Sequence, residues 1–155
     1  MKSKVVRVVL ATIAVAIFFA SYLHRGPAVF AQSRGAVAIT RLYPGADGQS
    51  HVEHVDLKFV AVPGATGVEE SEHVKAAAAY VVRLAPGFYD GWHNADKRRY
   101  VLPMSGRAEI EIAGGEKITL EPGHLVLAED LTGKGHTFRV LGSEDWVALF
   151  VDFQP

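Results

Sequence analysis

The sequence contains no cysteine. Thiol nucleophiles, iron–sulfur clusters, cysteine-ligated zinc and disulfide cross-links are therefore excluded, and the folded chain must be held by its core alone. An excess of charge is missing too, since 16 Lys and Arg oppose 17 Asp and Glu. With neither a basic stripe nor an acidic tail, nucleic acid is not an expected partner. The common catalytic signatures are also absent. No GxSxG elbow, no GxxxxGK[ST] phosphate loop and no HExxH zinc motif occurs. The "GKG" at Gly133–Gly135 is too short and wrongly placed for a dinucleotide loop.

Long uncharged runs are confined to the start of the chain. Lys2, Lys4 and Arg7 precede an uncharged run from Val8 to Leu23, and "VFA" follows at Val29–Ala31. A basic start, an apolar stretch and small residues before a cut describe a secretory signal peptide over residues 1–31. The run is shorter than the roughly 18 to 20 residues of a spanning helix. An uncleaved anchor over residues 5–23 is the alternative, because only Arg7 interrupts the apolar residues there. Either way the expectation is an exported protein, periplasmic, secreted or membrane-anchored through this segment, with one domain over residues 32–155.

From about Gly35 the chain reads as short strands separated by turn formers. "AVAITRLY" is stopped by "PGADGQS", and "HVEHVDLKFVAV" ends at Pro63–Gly64. "ATGVEESEH" reads as a loop. In "VKAAAAYVVRLAPG" the four alanines favour a helix and "YVVRL" favours a strand, which Pro86–Gly87 ends without a cap. Further on, "RRYVLPM" and "RAEIEIA" flank Ser105–Gly106, and "ITLEPG", "HLVLAE", "HTFRVLG" and "DWVALFVDF" follow. Regularly spaced short strands argue an all-β sandwich or jelly-roll barrel. Ile110 and Ile112 alternate with Glu109 and Glu111, so the glutamates belong on a solvated face.

Six histidines lie beyond the leader. His51 and His54 are three apart and point to opposite faces of a strand. His73 sits in an acidic loop, and His124 follows the Pro122–Gly123 turn. His93 and His136 stand apart, each at a strand end among glycines and charged residues.

The stretch from Gly91 to Gly106, followed by "PGHLVLAEDLTGKGH", resembles the two motif segments of the cupin superfamily. His93 matches the first histidine of that pattern, Gly106 its closing glycine, Pro122–Gly123 its turn and His136 its last histidine. The chain is particularly similar to small single-domain bacterial cupins carrying "WHxAxRRxxVxxLSG" and "LLAEDxTGxGH". The resemblance implies a cupin-type double-stranded β-helix, that is, a jelly-roll barrel. It also implies a homodimer, since many small cupins pair through an edge strand. A typical cupin metal takes three histidines and a carboxylate or amide. Here Ala95 replaces the second histidine, and Arg99 or Tyr100 falls where the acid belongs. His93 and His136 remain as candidate ligands for a divalent metal such as Zn, Mn, Fe or Ni, with Glu69, Glu70, Glu129 or Asp130 as sources of a carboxylate.

Losing the metal changes the meaning of "KRRY". Arg98 and Arg99 face opposite ways on a strand, so one guanidinium points inward and needs a carboxylate or a bound anion. Glu129 or Asp130 would be its internal partner. An exogenous carboxylate or phosphate is the functional alternative, because the planar fork suits bidentate binding. Arg99, Tyr100, Glu129, Asp130 and Lys134 are therefore the candidate ligand-binding residues, with Phe88, Tyr89, Trp92 and Trp146 as a candidate apolar wall. Three functions follow as expectations. The first is a barrel that binds a small polar or anionic molecule behind a degenerate metal motif. The second is a divalent-metal enzyme of isomerase, lyase or dioxygenase type using His93 and His136. The third is a non-catalytic envelope protein whose fold serves an interaction.

Overall fold

The computed structural model describes residues 35–155, so the export segment read at residues 1–31 lies outside the described residues. Among the described residues there are twelve strands and no helix. In chain order they are β1 (Ala38–Pro44), β2 (Ser50–Asp56), β3 (Phe59–Ala61), β4 (Glu69–Ser71), β5 (Ala76–Leu84) and β6 (Tyr89–His93). Then come β7 (Arg99–Ser105), β8 (Arg107–Glu111), β9 (Lys117–Leu120), β10 (Val126–Ala128), β11 (His136–Leu141) and β12 (Trp146–Phe153).

One sheet has the order β2-β1-β10-β7-β12-β5 and the other β6-β11-β8-β9, with β3 and β4 forming a separate hairpin. The last eight strands shuttle between the two sheets, as β5-β12-β7-β10 in one and β6-β11-β8-β9 in the other. That winding is a jelly roll. β1 and β2 extend the first sheet, and β1 joins β10 in parallel while the other pairings are antiparallel.

Two sequence expectations are refined by pairing. The four alanines at Ala76–Ala79 are extended, because β5 pairs with β12 from Ala76 to Leu84. A ladder of that length overrides the helix preference of alanine, which is worth only tenths of a kcal/mol per residue. The stretch "HVEHVDLKFVAV" divides into β2 and β3, and "ATGVEESEH" supplies β4 opposite β3.

Alternation sorts the side chains. Leu42, Val101, Val126, Trp146 and Ala148 from the larger sheet meet Ala108, Ile110, Leu120 and Val140 from the smaller one to form the core. The intervening positions Ile39, Leu127 and Phe153 build a second apolar cluster on the opposite face of the larger sheet, packed by Val55, Leu57 and Tyr100. The turn joining β7 to β8 requires glycine: Gly106 has φ +72°, and a Cβ there would sit 2.5 Å from the Asp145 carbonyl oxygen.

The same alternation sets a stability contrast. Ile112 is buried, whereas Glu111 beside it faces Lys117 across the surface at 3.4 Å. Ile112→Ala is expected to cost about 2–4 kcal/mol, and Glu111→Ala to stay within about 0.5 kcal/mol. Urea unfolding of both variants checks the assignment.

Candidate functional site

The core does not close at one end of the sandwich. A cavity of about 260 Å³ lies there, just under the usual range of about 300–1,000 Å³ for small-molecule sites. Its walls are apolar, formed by Leu84, Phe88, Phe138, Trp146 and Phe150 among others. Its polar lining comes from adjacent chain segments: Asp90 lies on β6 and His93 ends it, Asn94 and Asp96 lead into β7, Arg99 begins β7 and His136 begins β11. Trp146 is buried, and its indole N–H has no hydrogen-bond partner among the described residues. A buried donor left this way costs about 1–3 kcal/mol unless something supplies an acceptor.

The two histidines meet because β6 and β11 pair His93 directly with His136. Gly135 makes that approach possible. Its φ is +77°, and a Cβ there would collide with the His93 carbonyl. The imidazole centroids are 4.4 Å apart. Nδ1 of His93 donates to the Gly91 carbonyl oxygen at 2.7 Å, and Nδ1 of His136 donates to Asp130 Oδ2 at 2.7 Å. Neither acceptor can donate, so in the neutral form both rings carry their proton on Nδ1 and keep the Nε2 lone pair. Asp130 is itself fixed. Its carboxylate is fully buried, accepts from Ser50 Oγ at 2.9 Å, and its backbone carbonyl accepts from Asn94 Nδ2 at 3.1 Å.

Arg99 and Asp152 stand directly opposite each other on β7 and β12. Arg99 Nε lies 2.9 Å from Asp152 Oδ1, an ion pair without hydrogen-bond alignment, and Arg99 Nη2 lies 2.6 Å from Asp96 Oδ1. The Arg99 side chain is 11 % exposed and that of Asp152 3 %, whereas that of Asp96 is 73 % exposed. Lys97 Nζ approaches Asp152 Oδ2 at 3.5 Å, and the Arg99 guanidinium lies 5.4 Å from the centroid of the Phe150 ring.

The structure therefore gathers His93, His136 and Arg99 around one cavity, with Asp130 bonded to His136. Of the candidate apolar wall, Phe88 and Trp146 also line the cavity, while Tyr89, Trp92, Tyr100, Glu129 and Lys134 lie outside its lining. Tyr100 packs edge-on against Phe153 at 5.0 Å, in the apolar cluster on the opposite face of the larger sheet. Lys134 lies 4.0 Å from the centroid of the Trp92 ring on the surface, and Tyr89 is exposed with the Arg139 guanidinium 5.2 Å from its ring centroid. Glu129 receives Arg41 at 2.5 Å and also Arg98. The expectation that Glu129 or Asp130 would neutralise the inward arginine is thus corrected, since Asp152 and Asp96 do so. Sequence reasoning missed Asp152 although its signal was present. It continues the inward series Trp146, Ala148, Phe150 along β12 and is the only carboxylate in that strand.

Among the described residues no group of three or more His, Asp or Glu is placed to hold a metal ion. Asp130 is turned to Nδ1 of His136, Ala95 offers no donor, and the Arg99 cation lines the same cavity. The residues present do not fit a tightly held divalent ion.

No protein-family model matches the chain, and no curated protein matches it. Similar solved structures are remote. A cupin-2 domain containing protein from Shewanella frigidimarina is 18% identical over 53% of this chain and 80% of its own, with a TM-score of 0.36. A 4-keto-6-deoxy sugar epimerase from Streptomyces spheroides is 16% identical over 79% and 72%, with a TM-score of 0.40. A conserved protein of unknown function from Streptococcus pyogenes is 22% identical over 55% and 70%, with a TM-score of 0.39. At these scores the likenesses carry no argument about function, which has to be read from the geometry of the cavity.

Glu129 yields a pH prediction. Burial alone would raise the pKa of its carboxyl, but hydrogen bonds from Arg41 and Arg98 outweigh it and hold the group below the usual carboxylate range. A depressed folded-state pKa stabilises the protein above the unfolded value, and that stabilisation is lost as pH falls through the folded value. Glu129→Gln should cost about 1 kcal/mol near neutrality, with the deficit shrinking steadily below the ordinary glutamate range. Urea unfolding of parent and variant at a series of pH values measures this.

Proposed function

We propose that this chain is a cupin-type jelly roll that binds a small molecule with an apolar body and one polar, anionic end. The observation that carries the reading is the cavity itself. Aromatic and aliphatic walls take the body of the ligand, the Arg99 guanidinium takes its anionic end, and the Nε2 lone pairs of His93 and His136 can accept from an O–H or N–H elsewhere on the ligand. Such sites place a few oriented polar groups in a largely apolar recess. The unpartnered indole N–H of Trp146 adds a donor on the wall. Export, to the periplasm or outside the cell, remains part of the proposal on the strength of residues 1–31. So does a homodimer: β5 is a nine-residue edge strand with Tyr80 and Val81 exposed, and long apolar edges invite pairing with another chain.

A second reading is favoured by one observation, the His136–Asp130 pair. A carboxylate on Nδ1 fixes the ring and stabilises the imidazolium that forms when Nε2 takes a proton. His136 would then serve as a general base toward a bound molecule carrying an acidic C–H or O–H, without a metal. Turnover would require the ligand to bind in the cavity, so binding is tested first.

Benzoate is a suitable probe, having one apolar ring and one carboxylate. In two-dimensional amide NMR titrations its shifts should cluster at His93, Arg99, His136 and the β12 residues around Trp146. Arg99→Gln should weaken binding at least tenfold. Shifts scattered over the surface, or affinity unchanged by Arg99→Gln, would remove the reading.

A further inference from the structure

The ion pairs at the cavity mouth do not have equal standing. Asp152 is buried and stands opposite Arg99 on the neighbouring strand, so water does not reach its carboxylate to replace Arg99. Asp96 belongs to the β6–β7 connection, is 73 % exposed and touches Arg99 through one oxygen, Oδ1, at 2.6 Å from Nη2. Water is ready to resolvate it. A contact between a largely exposed carboxylate and its partner is worth about 0–1 kcal/mol, so it exchanges easily.

Charge counting gives this exchange a direction. Around the guanidinium, Arg99 and Lys97 contribute two positive charges and Asp152 one negative, leaving a single positive charge that Asp96 neutralises, while Asp90 lines the cavity on the His93 side, 3.7 Å from His93 Nδ1. Without Asp96 the cluster would hold room for one monoanion, at the edge of an apolar chamber whose lining includes both Asp96 and Arg99.

We infer that Asp96 is a built-in competitor: its carboxylate occupies the subsite of the ligand's carboxylate on Arg99 and swings into solvent when a small monocarboxylate enters. The inference rests on the proposed binding function and deepens it, naming the ligand class as monocarboxylates and Asp96 as the residue that sets the threshold for their entry. The exchange conserves charge, one carboxylate replacing another on the same guanidinium. A neutral ligand has no such exchange to make, because it leaves Asp96 in place. The planar guanidinium suits this selection, since it pairs with a carboxylate edge-on through two N–H groups.

The test compares benzoate with benzyl alcohol on the parent, Asp96→Asn and Asp96→Ser, followed by amide NMR titration. Thermal unfolding confirms that the two variants remain folded. Benzoate should bind both variants about three- to tenfold more tightly than the parent, and benzyl alcohol should bind all three alike. Equal or weaker benzoate binding in the variants would overturn the inference while leaving the pocket reading standing. A gain shared equally by benzyl alcohol would also overturn it, since Asp96 would then act by obstruction and not by charge. If neither probe binds any of the three proteins, the pocket reading and the inference fall together.

Discussion

A guanidinium placed against an apolar cavity is the constraint on which the rest of this site depends. An arginine so little exposed is tolerated only beside negative charge, because stripping an ion of water without compensation costs several kcal/mol. Asp152 provides that charge from the facing strand, and the direct β7–β12 register makes the pairing unavoidable. The pair sits where the core would otherwise have closed. Phe150 lies under the guanidinium and Phe138 and Trp146 form the wall beyond, so the polar end and the apolar chamber are built by the same strands. Replacing such a pair by hydrocarbon is often neutral or stabilising, and the proposed anion binding would give Arg99 and Asp152 a role beyond holding the fold.

The histidines obey the same logic of fixed orientation. Each has its Nδ1 engaged within the protein, His93 by a carbonyl and His136 by a buried carboxylate, and each retains a lone pair on Nε2. Imidazoles held this way accept hydrogen bonds or protons at defined positions. Among the described residues they have no third donor beside them and do not amount to a metal centre.

Much of this was legible in the sequence. The alternation of Ile110 and Ile112 with Glu109 and Glu111 gave the faces of β8 correctly, because a half-buried strand has a strict period of two. Turn residues marked the strand boundaries, and two histidines at strand ends stood out from the other four. What escaped was set by pairing across long sequence distances. Ala76–Ala79 has the composition of a helix and becomes a strand because β12 lies beside it. Arg98 and Arg99 could be told to face opposite ways, but their partners, Glu129 for the first and Asp152 for the second, depend on which strands adjoin β7. Tyr100 illustrates the same period: one step beyond an inward arginine, it belongs to the opposite face of the sheet.

The most direct test is to remove the charge pair as a unit. Arg99→Met combined with Asp152→Leu should leave the protein at least as resistant to urea as the parent, while abolishing benzoate binding. Either single variant, which strands one charge, should be less stable than the double. A double variant that binds benzoate with the parent's affinity would contradict a ligand site built on Arg99, and one that unfolds more readily than both single variants would contradict a pair the fold can do without.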